Sequence, residues 1–174
     1  VVGIDTAHHV GEVLAAGFPD RMQFDERSSL DVLYEEKRFG QKNNLGYYSY
    51  SPDKKGKPKR SPDESVEGML DSIRDGATSE TDDQTIIDRL MIPMIIETAR
   101  CLEEGIVDTP NEADMGLIFG IGFPPFHGGA LKYADRIGLK ALCDRAQEFA
   151  HFGPLYQPTK RMLEMAANDE RYYG

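Results

Sequence analysis

Apolar residues recur along most of this chain at the three- and four-residue spacing of an amphipathic helix. The longest stripe, Ile86, Ile87, Leu90, Met91, Met94, Ile95, Ala99 and Leu102, predicts a helix from about Asp82 to Glu104. Thr81 and Gln84 have the spacing of a capping box at its start, and Gly105 supplies the residue that ends it. Pro93 lies inside the stripe; it removes one backbone donor and crowds the preceding turn, so a kink is expected there but no break. Thr109, Pro110, Asn111 and Glu112 combine a capping hydroxyl, a proline at the first helical position and a glutamate three residues after the cap, which sets a helix start at Pro110. Ser61, Pro62, Asp63 and Glu64 repeat the device ahead of Val66, Met69, Leu70 and Ile73. Weaker stripes predict helices over 5–16, 27–38, 139–151 and 159–168. Only 45–50, after the Asn43–Asn44 turn signal, reads as extended. The fold class that follows is all-α.

At 174 residues, 40% hydrophobic and 29% charged, the chain has the composition of one globular domain, or of two small ones sharing an interface. No apolar run approaches the roughly 20 residues of a membrane span, and 1–9 lacks the blocks of a signal peptide, so a soluble protein is expected. A net charge of −10 argues against a phosphate-backbone binder and hence against nucleic acid as a partner. The charge is uneven: 63–114 holds fifteen acidic and three basic residues, read as a solvated acidic surface. Just before it, Lys54, Lys55, Lys57, Lys59 and Arg60 crowd a stretch with Pro52, Gly56, Pro58 and Pro62. An exposed linker kept extended by self-repulsion is the plainer reading and a phosphate site the sharper one; 51–62 is taken as a boundary. Cys101 and Cys143 match no metal spacing and read as small apolar residues within helices, which fits a reducing cytosol.

A displaced repeat is also visible. Val2, Gly3, Ile4 and the amphipathic run after them resemble Ile137, Gly138, Leu139 and theirs, 135 residues on; Lys37, Arg38, Phe39 resembles Glu170, Arg171, Tyr172 at an offset of 133. The counterpart of 81–136 would then lie before Val1, and a start without methionine fits a cut piece.

The run Gly120 to Gly129, Gly-Ile-Gly-Phe-Pro-Pro-Phe-His-Gly-Gly, closely resembles the C-terminal region of the bacterial fatty acid oxidation complex alpha subunit family, multifunctional enoyl-CoA hydratases and 3-hydroxyacyl-CoA dehydrogenases. Val1 to His9, Arg38 to Asn43, Arg100 to Ile106 and Glu112 to Met115 look like the same family. The resemblance implies tandem copies of the dehydrogenase C-terminal helical domain, the first truncated: 1–50 as the tail of the first copy, 51–80 as a linker with a short helix, 81–174 as the second copy. It implies NAD as cofactor and acyl-CoA as substrate of the full-length protein, a thiolase beta subunit as partner, and the cytoplasm as location. The catalytic pair and the dinucleotide-binding domain would lie upstream, so this segment is expected to be inactive alone; no glycine-rich loop after a strand is present to hold NAD. The alternative is a purely structural or interaction module.

One family substrate-binding position falls inside the chain. A tyrosine precedes the Gly-x-Gly-Phe-Pro-Pro run in the family, and Phe119 stands there here; the ring can still touch ligand, whereas the hydroxyl's hydrogen bond cannot be carried over. Packing against the end of its own helix is the other reading of Phe119. His127 is read either as an acid or base or as a cap for the next helix. The neighbours His8 and His9 point about 100° apart on a helix, which disfavours a shared metal. Phe123 to Phe126 suit a rigid corner. Gly120, Gly122, Gly128 and Gly129 allow close approach or positive φ, with a phosphate cradle the sharper idea and Lys132 the nearest basic residue.

Overall fold

The computed structural model describes residues 2–23, 26–74 and 81–174. The chain divides into two compact units, Val1–Ser79 and Glu80–Gly174.

In the first unit, α1 (Ile4–Gly17) and α2 (Ser29–Glu35) are joined with a short helix α3 (Ser65–Leu70) through a small core of Ile4, Leu33 and Val66. Ser28 and Asp31 form a complete capping box on α2. Between α2 and α3 the described residues depart from an all-α fold in an antiparallel hairpin of β1 (Tyr48–Pro52) and β2 (Pro58–Pro62), with Tyr50 opposite Arg60. Residues 51–62 are therefore a paired hairpin and not a free linker. Asp53 Oδ1 accepts from the amides of Lys55 and Lys57 at 2.7 and 2.8 Å and folds the loop, while the Arg60 guanidinium lies 5.0 Å over the Tyr48 ring. The hairpin base is anchored by buried Arg38, whose Nε donates to the Gly46 carbonyl at 2.9 Å and whose guanidinium meets Asp63 Oδ2 at 2.5 Å. Hydrogen bonds from Ser65, then from Arg38, hold the Asp63 carboxyl below the usual carboxylate range. The helix expected from Pro62 starts three residues later, because Ser61 and Pro62 are spent as rungs opposite Ser49 and Tyr48.

The second unit holds α4 (Asp83–Glu103), α5 (Pro110–Ile121), α6 (Ala130–Ile137), α7 (Leu139–Glu148) and α8 (Lys160–Ala167). Ile95, Ile96, Ala99, Leu131, Leu142 and Met162 meet in its core. Asp82, and not Thr81, caps α4: its carboxylate accepts from the Thr85 amide at 2.9 Å and from the Thr85 hydroxyl at 2.7 Å. Thr159 caps α8 and donates to Glu103 at 2.6 Å, tying the start of α8 to the end of α4. The helix α6 was not anticipated from its pattern.

Helix α4 runs unbroken through Pro93. The ring leaves the carbonyl four residues back, that of Arg89, without its helical donor. The Tyr156 hydroxyl donates to that oxygen at 3.0 Å, so the segment before α8 repairs the gap the proline makes.

The backbone features behind the displaced repeat recur in both units. Gly3 (φ 109°, ψ 142°) opens α1 as Gly138 (φ 89°, ψ 127°) opens α7. After α2, Lys37 turns left-handed (φ 55°) and the Arg38 amide donates to Leu33 at 2.8 Å; after α8, Asp169 (φ 55°) and Glu170 do the same toward Met165 at 2.9 Å. By geometry Arg38 matches Glu170, an offset of 132, one residue less than the side chains alone indicate.

Tyr156→Phe should lower stability by about 1–2 kcal/mol, the cost of a carbonyl left unpaired. The same change beside Pro93→Ala should cost only a few tenths, roughly, because the amide restored at 93 takes back the Arg89 oxygen. Urea unfolding followed by circular dichroism measures both; equal losses in the two backgrounds would disprove the repair.

Candidate functional site

The Thr109 capping box forms as its spacing indicates: Thr109 Oγ1 accepts from the Glu112 amide at 3.2 Å, and Glu112 accepts from the amides of Thr109 and Asp108 at 3.1 and 3.0 Å. At the other end, Gly122 turns left-handed (φ 73°) and the Phe123 amide donates to the Leu117 carbonyl at 3.2 Å. That turn sends Phe123 into the core, 3% exposed, and the proline pair leads into a short 3₁₀ turn, Pro125–His127, with Phe126 left 78% exposed. Gly128 and Gly129 follow and α6 begins.

What fixes this corner is Asp114, on the inner face of α5 and 1% exposed. Its carboxylate accepts from the amides of Leu131 at 2.8 Å and Lys132 at 3.0 Å, the first turn of α6, and from the Tyr173 hydroxyl at 2.8 Å. A carboxylate at a helix N-terminus satisfies the free amides and meets the positive end of the helix dipole. Gly129 is forced by it: φ is 110°, and a Cβ there would lie 2.2 Å from Asp114 Cβ. Helix α6 is thus capped from α5, across seventeen residues of sequence.

Phe119 lies on the outer face of α5, 79% exposed, with Met115 exposed one turn before it. It does not pack the end of its own helix. His127 does not cap α6, since Asp114 does. Its ring lies 4.4 Å from Phe126 and 4.7 Å from Tyr133, and its Nδ1 accepts from the Arg136 guanidinium. His8 stacks on Tyr34 at 4.1 Å and lies 3.2 Å from Asp31, while His9 faces Glu12. No group of three His, Cys, Asp or Glu among the described residues is arranged to hold a metal ion. No helix among them is long and apolar enough to cross a membrane. Cys101 and Cys143 form no disulfide, and burial pushes the Cys143 thiol up, which makes it a poor nucleophile. What the sequence reading missed is the basic lining near His127, where Lys132, Arg136 and Arg171 face one cavity with Tyr173.

The model of the 3-hydroxyacyl-CoA dehydrogenase C-terminal domain matches residues 1–50. The whole chain is 54% identical to the fatty acid oxidation complex subunit alpha of Pseudomonas syringae pv. syringae and 52% identical to that of Pseudomonas putida, covering 24% of each. This chain is related to the C-terminal region of that subunit family. It spans about a quarter of the length of those relatives. The solved dehydrogenase part of multifunctional enzyme 1 from C. elegans shares the fold, with a TM-score of 0.60 at 23% identity over 94% of this chain and 36% of that one.

Asp114→Ala leaves two amides and a hydroxyl unpaired and should cost about 3 kcal/mol or more. Gly129→Ala should cost at least about 2 kcal/mol from strain and overlap together. Urea denaturation reads both, and a loss under about 0.5 kcal/mol for either would disprove the clamp.

Proposed function

We propose that this chain is the helical C-terminal part of a fatty acid β-oxidation enzyme, in which the longer protein hydrates enoyl-CoA and oxidises 3-hydroxyacyl-CoA with NAD. Its part in that enzyme is to form one wall of the acyl-CoA cleft and the interface between two helical copies, 1–50 belonging to a truncated first copy and 81–174 to the second. A cytoplasmic complex with a thiolase beta subunit belongs to the same reading. Similarity along the full length to fatty acid oxidation alpha subunits supports it. The observation that carries the cleft assignment is Phe119, a large apolar ring 79% exposed on a helix clamped from behind by Asp114. A ring held outward on a rigid element can meet an acyl chain or the thioester end of a ligand with little ordering cost.

NAD does not fit these residues. The sheet described here is a two-stranded antiparallel hairpin, which offers no crossover helix over a parallel strand pair to receive a pyrophosphate. Hydride and proton transfer are assigned to the rest of the enzyme, and this chain alone is inactive in that reading.

In the longer enzyme, Phe119→Ala should raise KM for a long-chain 3-hydroxyacyl-CoA about 5- to 30-fold, the loss of about 1–2 kcal/mol of apolar contact, with melting unchanged because the ring is exposed. Phe119→Tyr should keep KM or lower it. Unchanged KM in Phe119→Ala would leave the chain a structural module without ligand contact. Turnover of 3-hydroxyacyl-CoA by the isolated chain with NAD would overturn its inactivity.

A further inference from the structure

The stretch 51–62 packs five cations, Lys54, Lys55, Lys57, Lys59 and Arg60, beside one carboxylate, Asp53, in a chain of net charge −10. Self-repulsion at that density favours a spread, extended segment. The fold does the opposite and holds the cations together. Asp53 Oδ1 is taken by the amides of Lys55 and Lys57, the Gly56 amide donates to the Asp53 carbonyl at 2.9 Å, and the Asp53 amide donates to the Lys57 carbonyl at 2.8 Å. The turn is thus fixed by Asp53 and the backbone, while Lys54, Lys55 and Lys57 stay exposed. Five paired residues span roughly 17 Å. That is about twice the distance over which physiological salt screens charge, so the lysines at the tip keep a positive field apart from Asp63 at the base.

The edges and the face of the hairpin decide what it can receive. On the outer edge of β1 the Tyr50 amide donates to the Asn44 carbonyl and the Tyr48 carbonyl accepts from the Gly46 amide, both at 2.9 Å. On β2, Pro58 and Pro62 have no amide to offer. Both edges are closed to an added strand, and a partner must be met by side chains. Tyr48, Tyr50 and Pro52 share one face with their pairing partners Pro62, Arg60 and Pro58, and the Arg60 guanidinium rests over the Tyr48 ring. Tyrosine and arginine on a rigid frame are side chains that protein interfaces favour. The tip, 53–57, has no apolar side chain to enter a lipid headgroup layer. Asp63, Asp82, Asp88, Glu112 and Asp114 already bind within the chain, so a separate acidic chain matches the hairpin better than a second copy does.

We propose that the hairpin docks an acidic segment of another protein, its carboxylates on Arg60 and the lysines and its backbone along the Tyr48 and Tyr50 face. Carboxylates pair with a guanidinium in fork geometry, and the neighbouring lysines steer an acidic chain toward it. The hairpin belongs to the first unit and uses neither Phe119 nor an acyl ligand, so this docking surface stands whether or not the chain serves β-oxidation.

Fluorescence anisotropy of a fluorescein-labelled polyglutamate peptide of about twelve residues tests it, with the 174-residue chain at low ionic strength. The peptide should bind with a Kd of about 10–100 μM, about tenfold more weakly when Lys54→Gln, Lys55→Gln and Lys57→Gln are combined and about three- to tenfold more weakly in Arg60→Gln. Lys160→Gln, at a side chain 92% exposed on α8, should change nothing. Loss in the lysine variant with Arg60→Gln indifferent would overturn the contact along the face. Binding to phosphatidylserine vesicles but not to the peptide would make the partner a membrane, and self-association abolished in the lysine variant would make it a second copy; either overturns the proposal. So would no peptide binding at millimolar concentration, or binding indifferent to both variants while circular dichroism shows them folded.

Discussion

A single buried carboxylate organises the second unit. Asp114 is out of water, and a charge in that position is tolerated only when hydrogen bonds replace the solvent it lost. Two α6 amides and one hydroxyl do so, and because the three donors come from the start of α6 and from the chain end, satisfying the charge fixes both against α5. Burial, then the adjacent Asp114, push the Tyr173 hydroxyl well above its ordinary range, so it stays protonated and goes on donating across ordinary pH. The rest of the corner follows geometrically. Gly129 can be nothing larger, Phe123 is drawn into the core, and the opposite face of α5 is left to present Phe119.

The same demand, that no buried polar group go unpaired, explains the other joints. Pro93 strips a donor from the Arg89 carbonyl and the Tyr156 hydroxyl returns one. Arg38 is buried, and it is satisfied jointly by the Gly46 carbonyl and Asp63, so α2, the hairpin base and the entry to α3 are held by one guanidinium. In each case residues far apart in sequence complete an interaction that neither could make alone.

That distance separates what the sequence discloses from what it hides. The Thr109 box and the glycine stops are local, and spacing finds them because cap and partner lie three residues apart. Thr81 and Asp82 are adjacent and both able to cap; local rules do not choose between them, and the choice fell to Asp82 through its second bond to the Thr85 hydroxyl. Ser61 and Pro62 carry a valid helix-start signal that strand pairing overrides. Helix α6 escapes detection because its buried stripe is two alanines and one leucine, and because its cap comes from another helix. Phe119 was picked out by its place beside a motif, but only the fold reveals that it points outward. Of the cationic cavity, Lys132 alone stands near the glycines in sequence; Arg171 lies 39 residues further on, beyond any spacing rule.

The ten residues from Gly120 to Gly129 show how one rigid corner can serve two surfaces. A left-handed Gly122 and two prolines leave the backbone little freedom, so the rings they carry are sorted by position: Phe123 is committed to the core, and Phe126 is held out toward the cationic cavity. Phe119, just before the corner, faces away on α5. A flexible glycine loop in the same place would let the exposed rings collapse onto the nearest apolar surface, since burial of an aromatic ring is favourable by a few kcal/mol, roughly. Keeping two large rings in water therefore requires the stiffness that the prolines and the Asp114 clamp provide. Exposing those rings costs stability, a loss that the proposed ligand contact of Phe119 would account for.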